Sequence, residues 1–197
     1  MAAASNRYST VAIVLHWTIA LLILGQIAGG LYVDDLPRET DAQKRQVFEL
    51  LQLHKSFGVT ILLLSLARLG WRLTHRAPPL PAEMAGWERF AARATHSGFY
   101  VLMIGVPLLG WAMVSASPLQ VPTMLFGQVP WPHLPGFEGI EDRRAVSGAL
   151  HELHEYGAFT ILGLFALHVA AALKHHFINR DDVLARMLPL VRQRRSA

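Results

Sequence analysis

The segment LHELHEYGAFTILGLFALHVAAALKHH (residues 150–176) is apolar enough to cross a bilayer, yet it holds His151, His154, His168, His175 and His176, half of the chain's 10 histidines. Hydrocarbon disfavours ionisable groups, so those inside a span face a protein interior, find partners or carry function. His154 and His168 lie 14 residues apart. That separation is about 21 Å of helix axis, and 14 steps of roughly 100° return to within about 40° of the starting direction. One face of this helix therefore presents two imidazoles at two depths. His151 falls about 100° off that face. His175 shares it, but pairing His175 with His154 would spread the levels to about 31 Å and push both to the membrane surfaces.

The rest of the chain fits a membrane setting. Of its 197 residues 52% are hydrophobic and only 16% charged, against roughly 25% charged in soluble domains, and the mean hydropathy is +0.31. Between Arg7 and Asp34 lie 26 residues without Asp, Glu, Lys or Arg, and between Glu155 and Lys174 lie 18. The charge-free run 94–137 is too long for one helix. Pro118, Pro122, Pro130, Pro132 and Pro135 break its second half. Residues 50–71 form the remaining candidate, with Lys55 and Arg68 near its ends, where long basic side chains can reach outward. The expectation is a single all-α integral membrane domain over residues 1–197. It has four transmembrane helices near 10–32, 50–72, 94–116 and 152–176, and a basic tail over 177–197.

Lys and Arg set the orientation. With the N-terminus inside, the inner side holds Arg7, Arg68, Arg72, Arg76, Arg89, Arg93, Lys174, Arg180, Arg186, Arg192, Arg194 and Arg195. The outer side holds only Arg38, Lys44, Arg45, Lys55, Arg143 and Arg144. Both termini are expected to be cytoplasmic. The net charge of +4 expresses this bias rather than a nucleic-acid surface, and the tail can rest on anionic lipid. The first span exceeds a signal-peptide core in length and reads as retained. The chain has no cysteine, which excludes disulfides, cysteine-ligated iron–sulfur clusters and covalent c-type haem. No phosphate-loop, dinucleotide or nucleophile-elbow motif occurs.

Depth sorts the remaining histidines. His16 on helix 1 lies roughly 10 Å from the inner surface, and His168 on the returning helix 4 about 12 Å. His54 and His154 begin helices 2 and 4 on the outer side. An inner pair, His16 with His168, and an outer pair, His54 with His154, result. Zinc usually wants three or four ligands converging on one point. Two imidazoles at each of two levels suit two haems b, each porphyrin supplying four further nitrogens. His96 opens helix 3 on the inner side, where it could ligate or hydrogen-bond. His175 is placed to contact a propionate, quinone or substrate at the inner surface, and His75, His133, His151 and His176 read as loop or interface residues. Arg68, with Arg72 one turn on, either neutralises a haem propionate or is ordinary inner-side flanking. Gly58 and Gly157 admit either a porphyrin or a close helix neighbour, and Gly25 and Gly29 read as helix packing.

VLHW (14–17), LHKSFG (53–58), the H-x13-H of helix 4, AALKHHF (171–177), RDDVLARMLP (180–189) and TMLFGQVPWPHLP (123–135) resemble the prokaryotic cytochrome b561 family over nearly the whole chain. The resemblance implies a four-helix bundle enclosing two non-covalent b haems, with His16, His54, His154 and His168 as axial ligands. It also implies a place in the bacterial inner membrane and electron exchange with ubiquinone. Small free-standing members are associated with oxidation of superoxide at the outer side, which makes superoxide:ubiquinone oxidoreductase the enzymatic reading. The alternative is a haem-bearing anchor subunit taking electrons from a partner dehydrogenase. A non-haem metal transporter would want acidic residues in its spans, and these are missing. No catalytic residue is assigned, and the oligomeric state is left open.

Overall fold

The structure is a computed structural model, and it describes residues 7–81 and 83–188. Arg192, Arg194 and Arg195, and with them residues 189–197 of the basic tail read above, lie outside the described residues. Four long helices run α1 (Thr10–Asp34), α2 (Asp41–Thr74), α3 (Gly86–Ala116) and α4 (Arg143–Lys174). All four are long and apolar enough to cross a membrane.

Each helix outruns the span expected from charge. α2 and α4 begin nine residues early and α3 eight; for α2 and α4 a capping side chain, not hydrocarbon, marks the start, whereas α3 begins after Ala85 with no side-chain cap. The Thr40 hydroxyl accepts the Gln43 amide N–H while the Gln43 side chain accepts the amide of Thr40, a reciprocal capping box. Ser9 caps α1 and Asp142 caps α4, each accepting an N–H from three residues ahead. At 34 residues, α2 is about 51 Å long, well beyond a hydrocarbon core of about 30 Å. α3 carries Pro107 in its interior, tolerated in membrane helices where neighbours re-satisfy freed backbone groups.

α1 packs on α2, α2 on α3, and α3 most closely on α4, whereas α1 and α4 hardly touch. α3 and α4 come close at Gly157, where a Cβ would stand 2.5 Å from Val106 Cγ2. Gly58 faces Gln26 of α1, and Cβ atoms at Gly25 or Gly29 would meet nothing within 4 Å. Among the described residues, then, the glycines of GQIAG meet no packing neighbour, whereas Gly157 does.

Between α3 and α4 the proline-rich stretch forms a hairpin, β1 (Thr123–Leu125) against antiparallel β2 (Val129–Trp131). Phe126 (φ 50°) and Gly127 (φ 71°) supply the paired left-handed conformations of its turn. Two side chains of α2 pin the hairpin. Gln52 donates to the Pro122 carbonyl (2.8 Å) and accepts from the Met124 amide (3.2 Å). Buried Ser56 accepts from the Phe126 amide at 2.9 Å.

At the opposite end α4 passes into a π-helical turn (His175–Asn179) and reverses at Arg180 (φ 55°). The segment 181–188 then folds back as a strap. Trp17 donates its indole N–H to the Met187 carbonyl (2.9 Å), and Arg7 donates to the carbonyls of Ala185 and Leu188, both at 3.3 Å. This termini end and the hairpin end are the two poles of the bundle.

Candidate functional site

The four expected ligands meet as two pairs. The ring centres of His16 and His168 are 6.2 Å apart, those of His54 and His154 are 6.1 Å apart, and the ring planes cross at 70° in each pair. The first pair lies toward the termini end and the second toward the hairpin end. A metal–imidazole bond of roughly 2.0 Å, with the ring nitrogen about 1.1 Å from its ring centre, puts two imidazoles across one metal about 6.2 Å apart, centre to centre. Both pairs have this spacing. Among the described residues no three His, Cys, Asp or Glu side chains gather to hold a bare metal ion. The donor set thus suits a group that brings its own equatorial ligands.

His154 is the most completely oriented of the four. Its Nδ1 lies 2.9 Å from the Val106 carbonyl oxygen, which can only accept. Nδ1 therefore carries the proton, and Nε2 keeps its lone pair for a metal. Metal-binding histidines are commonly fixed by such an outer hydrogen bond. The ring rests on Gly110, where a Cβ would come within 3.0 Å of Cε1. At His54 the ring faces Gly30, whose Cβ would lie 3.5 Å from Cε1, and Gln26 donates to the His54 carbonyl (2.7 Å). Gln52 and Ser56, two positions either side, hold the hairpin and leave the His54 ring uncommitted.

At the termini-side level the surroundings are polar. His96 of α3 brings its ring 5.6 Å from that of His168, closer than His16 does, and Phe99 stands edge-on at 5.7 Å. Half-buried Arg68 donates from Nη1 to the Ala12 carbonyl (2.9 Å), tying α2 to α1 one turn before His16. Its reach for a propionate is thus shared with a structural task.

The other histidines are spoken for elsewhere. Buried His175 sits with Nδ1 2.5 Å from Asp181 Oδ2 and belongs to the strap rather than to either pair. His75 stacks on Trp71 at 3.6 Å, His133 lies 3.4 Å from the Val121 carbonyl, and His176 meets Phe177. His151 is exposed.

Sequence reasoning passed over Gly30 and Gly110, and the signal that exposes them is the 14-residue interval itself. His16 and Gly30, His54 and Arg68, His96 and Gly110, and His154 and His168 repeat it on all four helices. The bundle thus has two matched levels, one built from His16, Arg68, His96 and His168 and the other from Gly30, His54, Gly110 and His154.

With this geometry in hand, the comparisons with known proteins are specific. A family model described as prokaryotic cytochrome b561 matches residues 7–190. The chain is 31% identical over 184 residues to cytochrome b561 homolog 2 of Escherichia coli (strain K12), covering 93% of this chain and 92% of the relative. It is 25% identical to cytochrome b561 homolog 1 of the same organism, covering 93% and 98%. It is 27% identical to the probable superoxide oxidase CybB of Yersinia pestis, covering 93% and 97%.

Proposed function

The chain belongs to the prokaryotic cytochrome b561 family, and from that premise we propose that it binds two haems b and conducts electrons between a one-electron donor and membrane quinone. Membership makes it a multi-pass membrane electron-transfer protein of a family that uses b-type haem. The two-haem reading rests on one observation, the paired imidazoles at 6.2 and 6.1 Å on two levels. His16 with His168 and His54 with His154 are the proposed axial ligands, and Arg68 is the proposed propionate partner at the first level. Haem held by these histidines would supply one-electron transfer.

The chain's own residues do the rest. His154 keeps its metal-facing nitrogen unprotonated through the Val106 carbonyl, and Gly110 leaves room for the ring. α4 alone provides one ligand to each level, so a single rigid helix fixes their spacing at about 21 Å along its axis. Two one-electron centres in series suit a donor of single electrons coupled to a two-electron quinone.

The positive-inside bias supports a bacterial inner-membrane protein with the termini end cytoplasmic. The pair at the hairpin end then meets an external donor. Superoxide is the donor we favour, on the resemblance to the relative named probable superoxide oxidase; Lys55, Arg143 and Arg144 are the local cations at that end that would attract an anion, while the first outer loop is net acidic and adds nothing to them. Arg143 is anchored to the carbonyls of Phe137 and Ser115.

Purified protein should give two b haems per chain by pyridine haemochrome. His154→Ala and His168→Ala should each perturb a different centre in oxidised and dithionite-reduced spectra. Superoxide added to quinone-loaded protein should yield quinol above background. A protein colourless after haem-supplemented expression sinks the haem reading. Two haems without superoxide-driven quinol remove superoxide alone and leave the anchor-subunit reading, marked by a co-purifying dehydrogenase.

A further inference from the structure

We propose that a cavity of about 620 Å³ between the termini-side ends of α2 and α3 is a binding site for an oxyanion, a carboxylate or a phosphate. Its walls include Arg72 of α2, Arg93, His96 and Tyr100 of α3, and Tyr8 ahead of α1, with the 77–80 loop as its floor. Arg93, His96 and Tyr100 recur at intervals of three and four, so α3 offers them as one stripe. Arg89 also borders the cavity but is committed, donating from Nε (3.0 Å) and Nη2 (2.8 Å) to the Met84 carbonyl.

Arg72 and Arg93 differ from Arg89. Both are exposed, and neither has a hydrogen-bond or ion-pair partner among the described residues. No Asp or Glu lines the cavity. Arginines at this end of a membrane protein are expected from topology alone, but topology asks only for charge at the surface. It does not ask two guanidiniums to converge on one pocket with two phenols and no counter-charge. Guanidinium forks complement planar carboxylates and phosphates, and such charge-assisted hydrogen bonds are the strong ones.

Two sources of the oxyanion fit. His96 lines the cavity and its ring lies 5.6 Å from that of His168, so the carboxylates of a haem held there would be one source; in this form the proposal rests on the haem reading. The lining also includes Leu69, Pro78 and Leu80, so the phosphate of an anionic phospholipid is the other source, independent of haem.

The test compares wild type with Arg72→Gln/Arg93→Gln and the two single variants, in detergent and in nanodiscs. Native mass spectrometry reads retained phosphatidylglycerol against phosphatidylcholine, and redox titration reads each haem. For a lipid phosphate, phosphatidylglycerol retention should fall about tenfold or more in the double variant with haem potentials unchanged. For a haem carboxylate, one haem should shift to lower potential with lipid retention unchanged, because removing nearby positive charge disfavours the reduced centre. Arg72→Lys/Arg93→Lys should recover part of either effect. A variant folded by circular dichroism and gel filtration, yet equal to wild type in both readouts, overturns the site. A colourless wild type would defeat the haem reading by itself, and the lipid comparison alone would then decide the cavity.

Discussion

Gly110→Ala is the sharpest perturbation the bundle offers, because it adds one methyl group against one proposed ligand. The new Cβ would lie 3.0 Å from His154 Cε1 and 3.1 Å from Nδ1. Carbon atoms in contact prefer about 3.5–4.0 Å, so the ring must yield by about half an ångström. It has little room, since Nδ1 is held at 2.9 Å by the Val106 carbonyl on the same helix, one turn away. Either the ring tilts away from its level or the hydrogen bond lengthens. Losing such outer support costs about 10–100-fold in metal affinity, or about 1.4–2.7 kcal/mol. The assay is haem content and reduced-minus-oxidised spectra during dilution with an apo-globin haem acceptor. The His54–His154 centre should lose haem first and fastest, with the His16–His168 centre unchanged. Gly105→Ala on the same helix, where a Cβ meets nothing within 4 Å, is the control and should be neutral or slightly stabilising. If Gly110→Ala releases haem no faster than Gly105→Ala, His154 does not depend on this seat and the role given to Gly110 is refuted.

Gly157→Ala should lower thermal stability by about 1–3 kcal/mol, because the added Cβ overlaps Val106 Cγ2 at 2.5 Å and α3 cannot retreat cheaply; a melt indistinguishable from wild type would contradict the packing. Ser56→Ala removes the acceptor for the Phe126 amide, and at about 1 kcal/mol should raise hydrogen exchange at residues 124–128 about fivefold while leaving haem content intact. Trp17→Phe removes the indole bond to Met187 and should expose the 181–188 strap to limited proteolysis, also about fivefold.

The sequence made the helices and the two histidine levels legible for one reason: helical rise and twist are fixed, so counting residues measures depth and direction. His154 and His168 could be assigned to one face and two depths, and His16 and His54 matched to them, without any tertiary knowledge. What counting could not supply was which side chains meet across helices. His96 reads as shallower than His16, yet the bundle brings its ring against His168. Helix starts were missed because charge marks the hydrocarbon while Thr40 and Asp142 mark the helix. The prolines of 118–135 announced only a break. The hairpin that follows is positioned by Gln52 and Ser56 from about 70 residues away, and local pattern does not carry such a contact. Gly30 and Gly110 were overlooked because they work by having no side chain.

The seam between α1 and α4 carries a consequence for how the protein matures. Those helices barely pack, and what spans the gap is the facing of His16 with His168 together with the strap from Met187 and its neighbours to Trp17 and Arg7. On the two-haem reading, closing this seam would draw on a bound group rather than on buried apolar surface. A ligand that binds only the closed form adds stability as RT ln(1 + [L]/Kd), so membrane proteases would find the chain open when haem is scarce and shut when it is plentiful. The abundance of the protein would then follow the haem supply of the cell with no dedicated regulator.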